Sequence, residues 1–437
     1  MRISRRNAIQ LGWMAAWGLI GCGRQHGAQG QSVGERTKPM LPASDGVRNM
    51  KSVRLGVDVL MDERLELLEG QRVGLITNHT GFDSSRRPTI DLLHEAPGVD
   101  LACLMAPEHG IRGDQDRDGL ASEVDAKTGL PVHSLYGDTR EPTPEMLEGL
   151  DSLVFDIQDV GARFYTYIAT LSKAMAAAGR RGIPVVVLDR PNPASGATIE
   201  GPMCDTELLS FVGPHEIAMR HGMTIGELAL LFHRRFNVGV EPVVVPCGGW
   251  ERWMFWDDTG LPYVGPSPNL HTVEQAIIYP GPCLMESSNL SVGRGTESPF
   301  ELLGAPWMDP DEVLKRVPAD CAAGIELQPE DFTPSAASKY PYAGEQCHGI
   351  RIRLTQREVY RAMPLGLALA AAIRDVCDEF RMSESGFARL CGRQALVDSF
   401  LAGAPLPELL SIGAEGLDPF MTIRAPCLLY PDGGDEA

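Results

Sequence analysis

The sequence predicts an α/β protein, with a Rossmann-like doubly wound parallel sheet and a second, smaller α+β domain. Of the 437 residues, 43% are hydrophobic, and from Arg54 onward short apolar runs alternate with amphipathic stretches. The pattern changes after about residue 270, where glycine-rich loops begin to mix with helical and alternating segments. Because a chain of this length exceeds what one hydrophobic core usually serves, we expect two domains, at 48–270 and 271–437.

Five short runs rich in branched apolar residues predict the strands of the first domain, since strands buried on both faces of a parallel sheet are continuously hydrophobic. The runs are 72–76, 101–105, 152–155, 184–188 and 243–245. The helical stretches between them are 87–94, 144–150, 165–180 and 224–235. Strand followed by helix, repeated, predicts a doubly wound sheet.

The start of the second domain is predicted from the segment 264–269, Val-Gly-Pro-Ser-Pro-Asn, which is typical of a rigid connector. Beyond it we expect one long helix at 365–380 and a strand in the alternating segment 349–354. Helices and strands that do not alternate regularly predict an α+β domain.

The N-terminus predicts export. Arg2, Arg5 and Arg6 precede an apolar run at 9–20, and the run ends in Leu-Ile-Gly-Cys at Cys22. The run is too short to span a bilayer, which needs about 20 apolar residues. We therefore predict a signal peptide with a lipobox at 1–22, lipidation of Cys22 and a flexible tether at 23–47. The protein would be a membrane-anchored lipoprotein on the periplasmic or cell-surface side, touching the membrane only through its lipid.

Composition and missing motifs exclude several classes of function. A formal charge of -19 argues against nucleic acid as a partner. The chain has no GxGxxG, no GxxxxGK[ST] and no GxSxG, so we predict no nucleotide cofactor and no serine-hydrolase site. The cysteines are scattered singly with no CxxC pair, and we predict no metal.

Polar residues follow four of the predicted strands, at 77–81, 107–113, 156–163 and 189–193. In open parallel sheets ligands bind outside the carboxyl ends of the strands, so these segments predict one cleft. An alternative is that strand-end Asp and Asn only cap the following helices, and for Asp189 taken alone this interpretation is as well supported as a role in binding. The substrate-binding candidates on and just after these strand ends are Asn78, His79, His109, Arg112, Gln158, Arg163, Tyr167, Asp189, Arg190 and Asn192.

Carboxylates beside amides, arginines and aromatics favour cleavage of a glycosidic bond. That reaction needs an acid for the leaving oxygen and a second group that attacks or stabilises the sugar cation. Glu108 is the candidate acid, because it follows an apolar strand beside Pro107, where a carboxyl keeps its proton more readily. Asp156 or Asp159 would be the second group, and spacing does not decide between them.

The second domain contributes a glycine-flanked loop at 285–296 that carries Glu286, Asn289 and Arg294. Such a loop could close the cleft, and an arginine fork matches a carboxylate at two points. The alternative is a solvated loop between the domains.

At these residues the sequence resembles the exo-β-N-acetylmuramidases, a family of peptidoglycan-recycling glycoside hydrolases. The resemblance runs from about residue 54 to the C-terminus and rests on 74–81, 107–113, 156–167, 189–193, 279–281, 289–296 and 304–307. It implies hydrolysis of terminal N-acetylmuramic acid from the non-reducing end of peptidoglycan-derived saccharides. Glu108 falls at the family's proposed catalytic glutamate.

The lactyl carboxylate of muramic acid would then meet Arg163, Arg190 or Arg294. One departure from the family is Met-Glu-Ser-Ser at 285–288 in place of a sequence close to Phe-Glu-Gly-Thr, with Glu286 retained.

Two other hypotheses remain at this point. The first is a non-catalytic lipoprotein that binds cell-wall sugars, which would need the cleft but not Glu108. The second is an esterase or amidase with a metal held by His79, Glu108 and His109, which would lose activity with a chelator.

Overall fold

A computed structural model describes residues 52–107, 111, 123–136 and 139–433. All of these residues belong to one compact unit. The predicted signal peptide, Cys22 and the tether lie outside the described residues, as do Glu108, His109 and Arg112.

The first domain is built on a seven-stranded sheet, which confirms the predicted fold class. Six strands are parallel, and the short β3 pairs antiparallel at one edge. The strands are β1 (Arg72–Thr77), β2 (Asp100–Ala106), β3 (Glu123–Val124), β4 (Pro131–Ser134), β5 (Ser152–Asp156), β6 (Val185–Leu188) and β9 (Val243–Val245). Their order across the sheet is β3-β4-β2-β1-β5-β6-β9.

Helices cover both faces of this sheet, which explains why its strands are continuously apolar. Successive residues of β5 alternate between the two layers: Leu153 and Phe155 pack on one side, Val154 on the other. Helices α3 (Tyr167–Gly179) and α4 (Ile225–Phe236) cover the first side, and α1 (Gly56–Glu63) and α2 (Thr89–Glu95) cover the second.

The five predicted strands are confirmed within one residue at either end, and three of the four predicted helices correspond to α2, α3 and α4. The predicted helix at 144–150 is wrong, because this stretch forms only turns. Gly149 has a φ of +71°, which does not fit a right-handed helix, so the buried Leu147 and Leu150 are held by turns. Strand β4 was not predicted, since Pro-Val-His-Ser lacks an apolar run.

The second domain is smaller and contains an antiparallel sheet in the order β10-β12-β11, with helices packed on it. Its strands are β10 (Leu302–Ala305), β11 (Ile325–Pro329) and β12 (His348–Leu354). Its helices are α5 (Val273–Ile278), α6 (Pro310–Leu314), α7 (Ala362–Val376), α8 (Glu384–Cys391), α9 (Gln394–Leu401) and α10 (Leu406–Gly413). The predicted strand at 349–354 is confirmed as β12, and the predicted long helix is α7, displaced by three to four residues.

The end of the chain returns to the first domain. Helix α11 (Leu417–Arg424) inserts Phe420 into the core beside α3 and α4. Tyr430 packs edge-on against Trp250, at 4.8 Å between ring centroids, and its hydroxyl donates to the carboxylate of Asp189. A small two-stranded sheet, β7 (Glu200–Met203) with β8 (Ala218–Arg220), lies between β6 and β9 in sequence.

Within the ranges given above, no helix is both long and apolar enough to cross a membrane.

Candidate active site

The order in which the strands are added to the sheet reverses between β1 and β5. From β1 the chain moves outward through β2 to β4, and then crosses back to β5, β6 and β9 on the other side. In open α/β sheets the crevice at such a switch point, outside the carboxyl ends of the strands, is where ligands bind. Asn78 and His79 follow β1 at this point, and Gln158 and Asp159 follow β5.

Asn78 and His79 each keep one side-chain atom without a hydrogen bond to the described residues. Asn78 Oδ1 accepts from the amide and hydroxyl of Thr80, at 2.9 and 2.6 Å, while its Nδ2 is buried and unpartnered. His79 Nε2 lies 2.9 Å from the carbonyl of Gly265 and must donate to it, so in the neutral imidazole Nδ1 carries the lone pair. Both residues line a cavity of about 290 Å³.

Asp156 is fully buried at the end of β5 and is engaged at both oxygens. Arg190 donates from Nε to Oδ1 at 2.6 Å and from Nη2 to Oδ2 at 2.9 Å, and the Thr89 hydroxyl also donates to Oδ2. Arg190 Nη2 further reaches the carbonyl of Phe82 at 2.9 Å. The pair therefore ties β5, β6 and the loop after β1 together, and within the described chain only Nη1 of Arg190 stays unpartnered.

Asp159 and Gln158 differ from Asp156 in having an oxygen without a partner among the described residues. Asp159 Oδ2 accepts from the amide of Gly161 at 2.7 Å, whereas Oδ1 is buried with no partner in the described ranges. Gln158 donates from Nε2 to the carbonyls of Asp159 and Pro191, at 2.7 and 2.8 Å, and its Oε1 is left unpartnered in the same part of the chain.

Asp189 and Asn192 hold the fold around β6. Asp189 accepts from the Gly226 amide at 2.7 Å and from the Thr224 hydroxyl at 2.7 Å, so it caps the start of α4. Burial raises the pKa of Asp189 to about 6, although its hydrogen bonds oppose the shift. Asn192 donates to the Met223 carbonyl at 3.0 Å and accepts from the Ala194 amide.

Arg163 and Tyr167 also bond to main-chain carbonyls. The fully buried Arg163 guanidinium donates to the carbonyls of Pro202, Ile217 and Leu390, at 2.8 to 3.1 Å, and so links the two domains. The Tyr167 hydroxyl donates to the Pro266 carbonyl at 2.8 Å. With the bond from His79 to Gly265, this holds the 264–269 connector over the edge of the sheet.

A second cavity, of about 250 Å³, lies beyond that connector and is lined by both domains. Glu286 and Arg294 line it as an ion pair, with 2.5 Å between Oε1 and Nε and about a quarter of each side chain exposed. The Arg294 guanidinium lies 5.3 Å from the ring centroids of both Phe300 and Tyr340. Burial lowers the pKa of Arg294, but the charge of Glu286 and the Tyr340 hydroxyl outweigh it, and the net shift is upward.

Asn289, the third candidate of this loop, forms its side-chain hydrogen bonds within the second domain. Its side chain donates to the Glu379 carbonyl at 2.9 Å and accepts from the Arg381 amide at 2.8 Å. The structure thus brings Glu286 and Arg294 to the cavity wall and places Asn289 in the support of the loop.

Sequence reasoning did not single out several residues of these cavities. Asn269, Lys339 and Tyr340 line the second cavity with Arg294, and the fully buried His221 faces Asp159. These residues lie outside the polar segments that follow the predicted strands. Within the described ranges no cluster of three or more His, Cys, Asp or Glu suits a metal ion, and the nine cysteines there are buried and free of disulfides.

Comparison with known proteins agrees with this architecture. Residues 73–274 match the family model of the N-terminal domain of the exo-β-N-acetylmuramidase NamZ, and residues 277–430 match that of its C-terminal domain. The chain is 43% identical over 381 residues to the peptidoglycan β-N-acetylmuramidase NamZ of Bacillus subtilis strain 168, covering 86% of this chain and 91% of that protein.

Crystal structures of two DUF1343 family proteins from Bacteroides fragilis are also similar. The first aligns with a TM-score of 0.78 and 33% identity over 87% of this chain and 99% of its own. The second aligns with a TM-score of 0.73 and 29% identity over 88% and 100%.

The two-domain fold, the polar edge of its sheet and these relatives define the chain as a glycoside hydrolase. It belongs to the exo-β-N-acetylmuramidase NamZ family, whose two domain models together span most of its length.

Proposed function

We propose that this protein removes terminal N-acetylmuramic acid from the non-reducing end of peptidoglycan fragments, with Glu108 as general acid. The name of the Bacillus relative supports the substrate class. The observation that carries the proposal is a group of polar atoms at the sheet edge, each buried and without a partner in the described ranges. They are Asn78 Nδ2, His79 Nδ1, Gln158 Oε1, Asp159 Oδ1 and Arg190 Nη1.

Buried polar groups in folded proteins are nearly always paired, with protein, water or ligand. This group mixes two donors, on Asn78 and Arg190, with three acceptors. A sugar matches such a mixture because each hydroxyl both donates and accepts, and an acetamido group offers one of each. Pro107, which directly follows the neighbouring β2, precedes Glu108 in sequence, and β2 lies next to β1 in the sheet.

For the second catalytic group, the contacts favour Asp159 over Asp156. Both oxygens of Asp156 are occupied by Arg190 and Thr89, and its side chain is fully buried. Asp159 has one oxygen anchored and the other unpartnered among the described residues. In the proposed mechanism Glu108 protonates the leaving oxygen, while Asp159 stabilises the sugar cation or activates water.

For the lactyl carboxylate, the contacts favour Arg294 over Arg163 and Arg190. The guanidinium of Arg163 donates hydrogen bonds to three carbonyls, and that of Arg190 forms an ion pair with Asp156. Arg294 lines an open cavity, its orientation fixed by Glu286 and two aromatic rings. The exposed Lys339 lines the same cavity and adds a positive charge without an ion-pair partner among the described residues.

We propose in addition that the enzyme works outside the cytoplasm, tethered by a lipid on Cys22. The support is the sequence of the first 47 residues alone. Cys22→Ser expressed in the native host should move the protein from the membrane to the soluble fraction of the envelope. Retention of this variant in the membrane would contradict the anchor.

The test of function is release of N-acetylmuramic acid from the disaccharide MurNAc-GlcNAc. The wild type, Glu108→Gln and a chelator-treated wild type are compared, with the exposed Glu148→Gln as matched control. We expect release by the wild type, the chelated sample and the control, and none by Glu108→Gln.

The reversed disaccharide, GlcNAc-MurNAc, should not be cleaved. Cleavage of both disaccharides would refute the specificity, loss with chelator would favour a metal enzyme, and full activity of Glu108→Gln would refute the mechanism. Binding without any release would favour a sugar-binding lipoprotein.

A further inference from the structure

His221 is a fully buried histidine that follows β8 and faces Asp159. Its Nε2 lies 3.3 Å from Asp159 Oδ2. Its other nitrogen, Nδ1, accepts a hydrogen bond from the amide of Met223 at 3.2 Å. Because Nδ1 must keep its lone pair for that bond, the ring proton is on Nε2, which lies beside the Asp159 carboxylate but makes no hydrogen bond to the described residues.

Main-chain hydrogen bonds hold this histidine to the loop that carries Asp159. The His221 amide donates to the Gly161 carbonyl at 3.2 Å, and the Arg163 amide donates to the Met219 carbonyl at 2.8 Å. The strand is fixed in turn by the buried pair of Arg220 and Glu200, at 2.7 Å. The small sheet of β7 and β8 therefore acts as a support behind the loop at 159–163.

The two oxygens of Asp159 consequently have different surroundings. Oδ2 accepts from the Gly161 amide at 2.7 Å and faces His221, while Oδ1 has no partner within the described chain. We infer that His221 is a positioning residue: its Nε2–H, 3.3 Å from Oδ2, attracts that side of the Asp159 carboxylate, so that Oδ1 is presented to the sugar. This inference rests on the proposed function, in which Asp159 is the second catalytic group.

The competing explanation is that His221 only fills space. The two explanations separate in the variants His221→Phe and His221→Gln. Phenylalanine keeps a planar ring but removes the N–H beside Asp159 Oδ2. Glutamine is less similar in shape but places an amide N–H at a comparable reach. If His221 only fills space, His221→Phe should be the more active variant. If it positions Asp159, His221→Gln should be the more active one.

The experiment measures kcat and KM for MurNAc-GlcNAc together with thermal unfolding. We expect His221→Phe to lower kcat about 10- to 100-fold with little change in KM, as misplacement of a reacting group does. His221→Gln should recover most of the loss. In an Asp159→Asn background His221→Phe should cost nothing further, because the histidine acts through the aspartate. His215→Phe, another largely buried histidine of the first domain, is the matched control and should keep kcat.

A spectroscopic measurement tests the pairing independently of activity. The ¹⁵N resonances of the His221 ring, assigned by their loss in His221→Phe, should show the proton on Nε2 and should shift in Asp159→Asn. Absence of that shift, or full kcat in a folded His221→Phe, would overturn the inference. An inactive wild type that still shows the shift would instead refute the proposed function and leave the pairing in place.

Discussion

Asp156 and Arg190 form a two-point ion pair at the centre of the sheet edge, with 2.6 and 2.9 Å between their bonded atoms and about 1% or less of either side chain exposed. The two residues come from adjacent strand ends of β5 and β6. Removing one partner of a buried pair leaves an uncompensated charge, and this cost exceeds the net contribution of the intact pair. The pair therefore stabilises the structure of the site and does not itself take part in the reaction.

The first prediction follows from this pair. Arg190→Met should lower the free energy of unfolding by about 3–5 kcal/mol, as breaking a buried ion pair does. Urea unfolding followed by circular dichroism measures it. The exposed pair of Arg72 and Asp100, also joined at 2.9 Å, supplies the control: Arg72→Met should cost less than about 1 kcal/mol. Equal losses for both variants would show that burial of the Asp156 pair has no energetic effect.

The second prediction separates the two aspartates after β5. Asp159→Asn should lower kcat about 100-fold or more, the usual scale for losing an acid–base group, while its unfolding midpoint stays close to that of the wild type. Asparagine can still accept from the Gly161 amide, so the loop is retained. Asp156→Asn should instead lose stability, because Arg190 loses its charged partner. A stable, inactive Asp156→Asn beside an active Asp159→Asn would reverse our assignment.

The sequence was sufficient to predict what depends on local pattern. The continuous apolar runs predicted five strands of the sheet, and the polar segments 77–81, 156–163 and 189–193 follow three of these strands in the structure, whereas most of 107–113 lies outside the described residues. Strand β4 was missed because its Pro-Val-His-Ser is only partly buried. The stretch 144–150, which forms turns, was predicted as a helix because Gly149 alone was too weak a signal to predict a break in it.

What the sequence could not predict was how each polar group is used. Arg163 lies in a polar segment that follows a strand, as Arg190 and Asn192 do. Its guanidinium nevertheless donates to main-chain carbonyls, including that of Leu390, which is distant in sequence. His221 stands outside every strand-end segment and reaches Asp159 only because β8 is bonded to the loop at 159–163. Such contacts depend on the packing of separate elements, which no local pattern encodes.

The third prediction concerns pH. Ring contacts with Phe232 and Phe236, at 4.4 and 4.5 Å between centroids, bury His215, and burial lowers its pKa from 6.5 to about 4. Between these values the unfolded chain binds a proton that the folded state does not, so this group lowers stability as pH falls from about 6.5 to about 4. His215→Phe should flatten the stability profile in that window, measured by urea unfolding at several pH values. An unchanged slope would show that His215 protonates in the folded state.

The fourth prediction tests Arg294 as the partner of the lactyl carboxylate. Terminal N-acetylglucosamine lacks that carboxylate, so a GlcNAc-terminated analogue of the disaccharide reports on everything in the site except this contact. Arg294→Gln should raise KM for the muramic acid substrate about 10- to 100-fold, the scale of a hydrogen bond to a charged group, and change the slow cleavage of the analogue little. The ratio of kcat/KM for the two substrates is the measured quantity.

Because Arg294→Gln leaves Glu286 without its partner, the double variant Arg294→Gln/Glu286→Gln keeps the local charge balanced and should show the same loss of discrimination. Arg294→Lys should be intermediate, since lysine keeps the charge but not the planar fork that binds a carboxylate at two points. Arg351→Gln removes a comparable pair with Glu330, at 2.5 Å, and should leave the ratio unchanged. An equal fall for both substrates in the Arg294 variants would mean that Arg294 holds the 285–296 loop in shape and does not read the lactyl group.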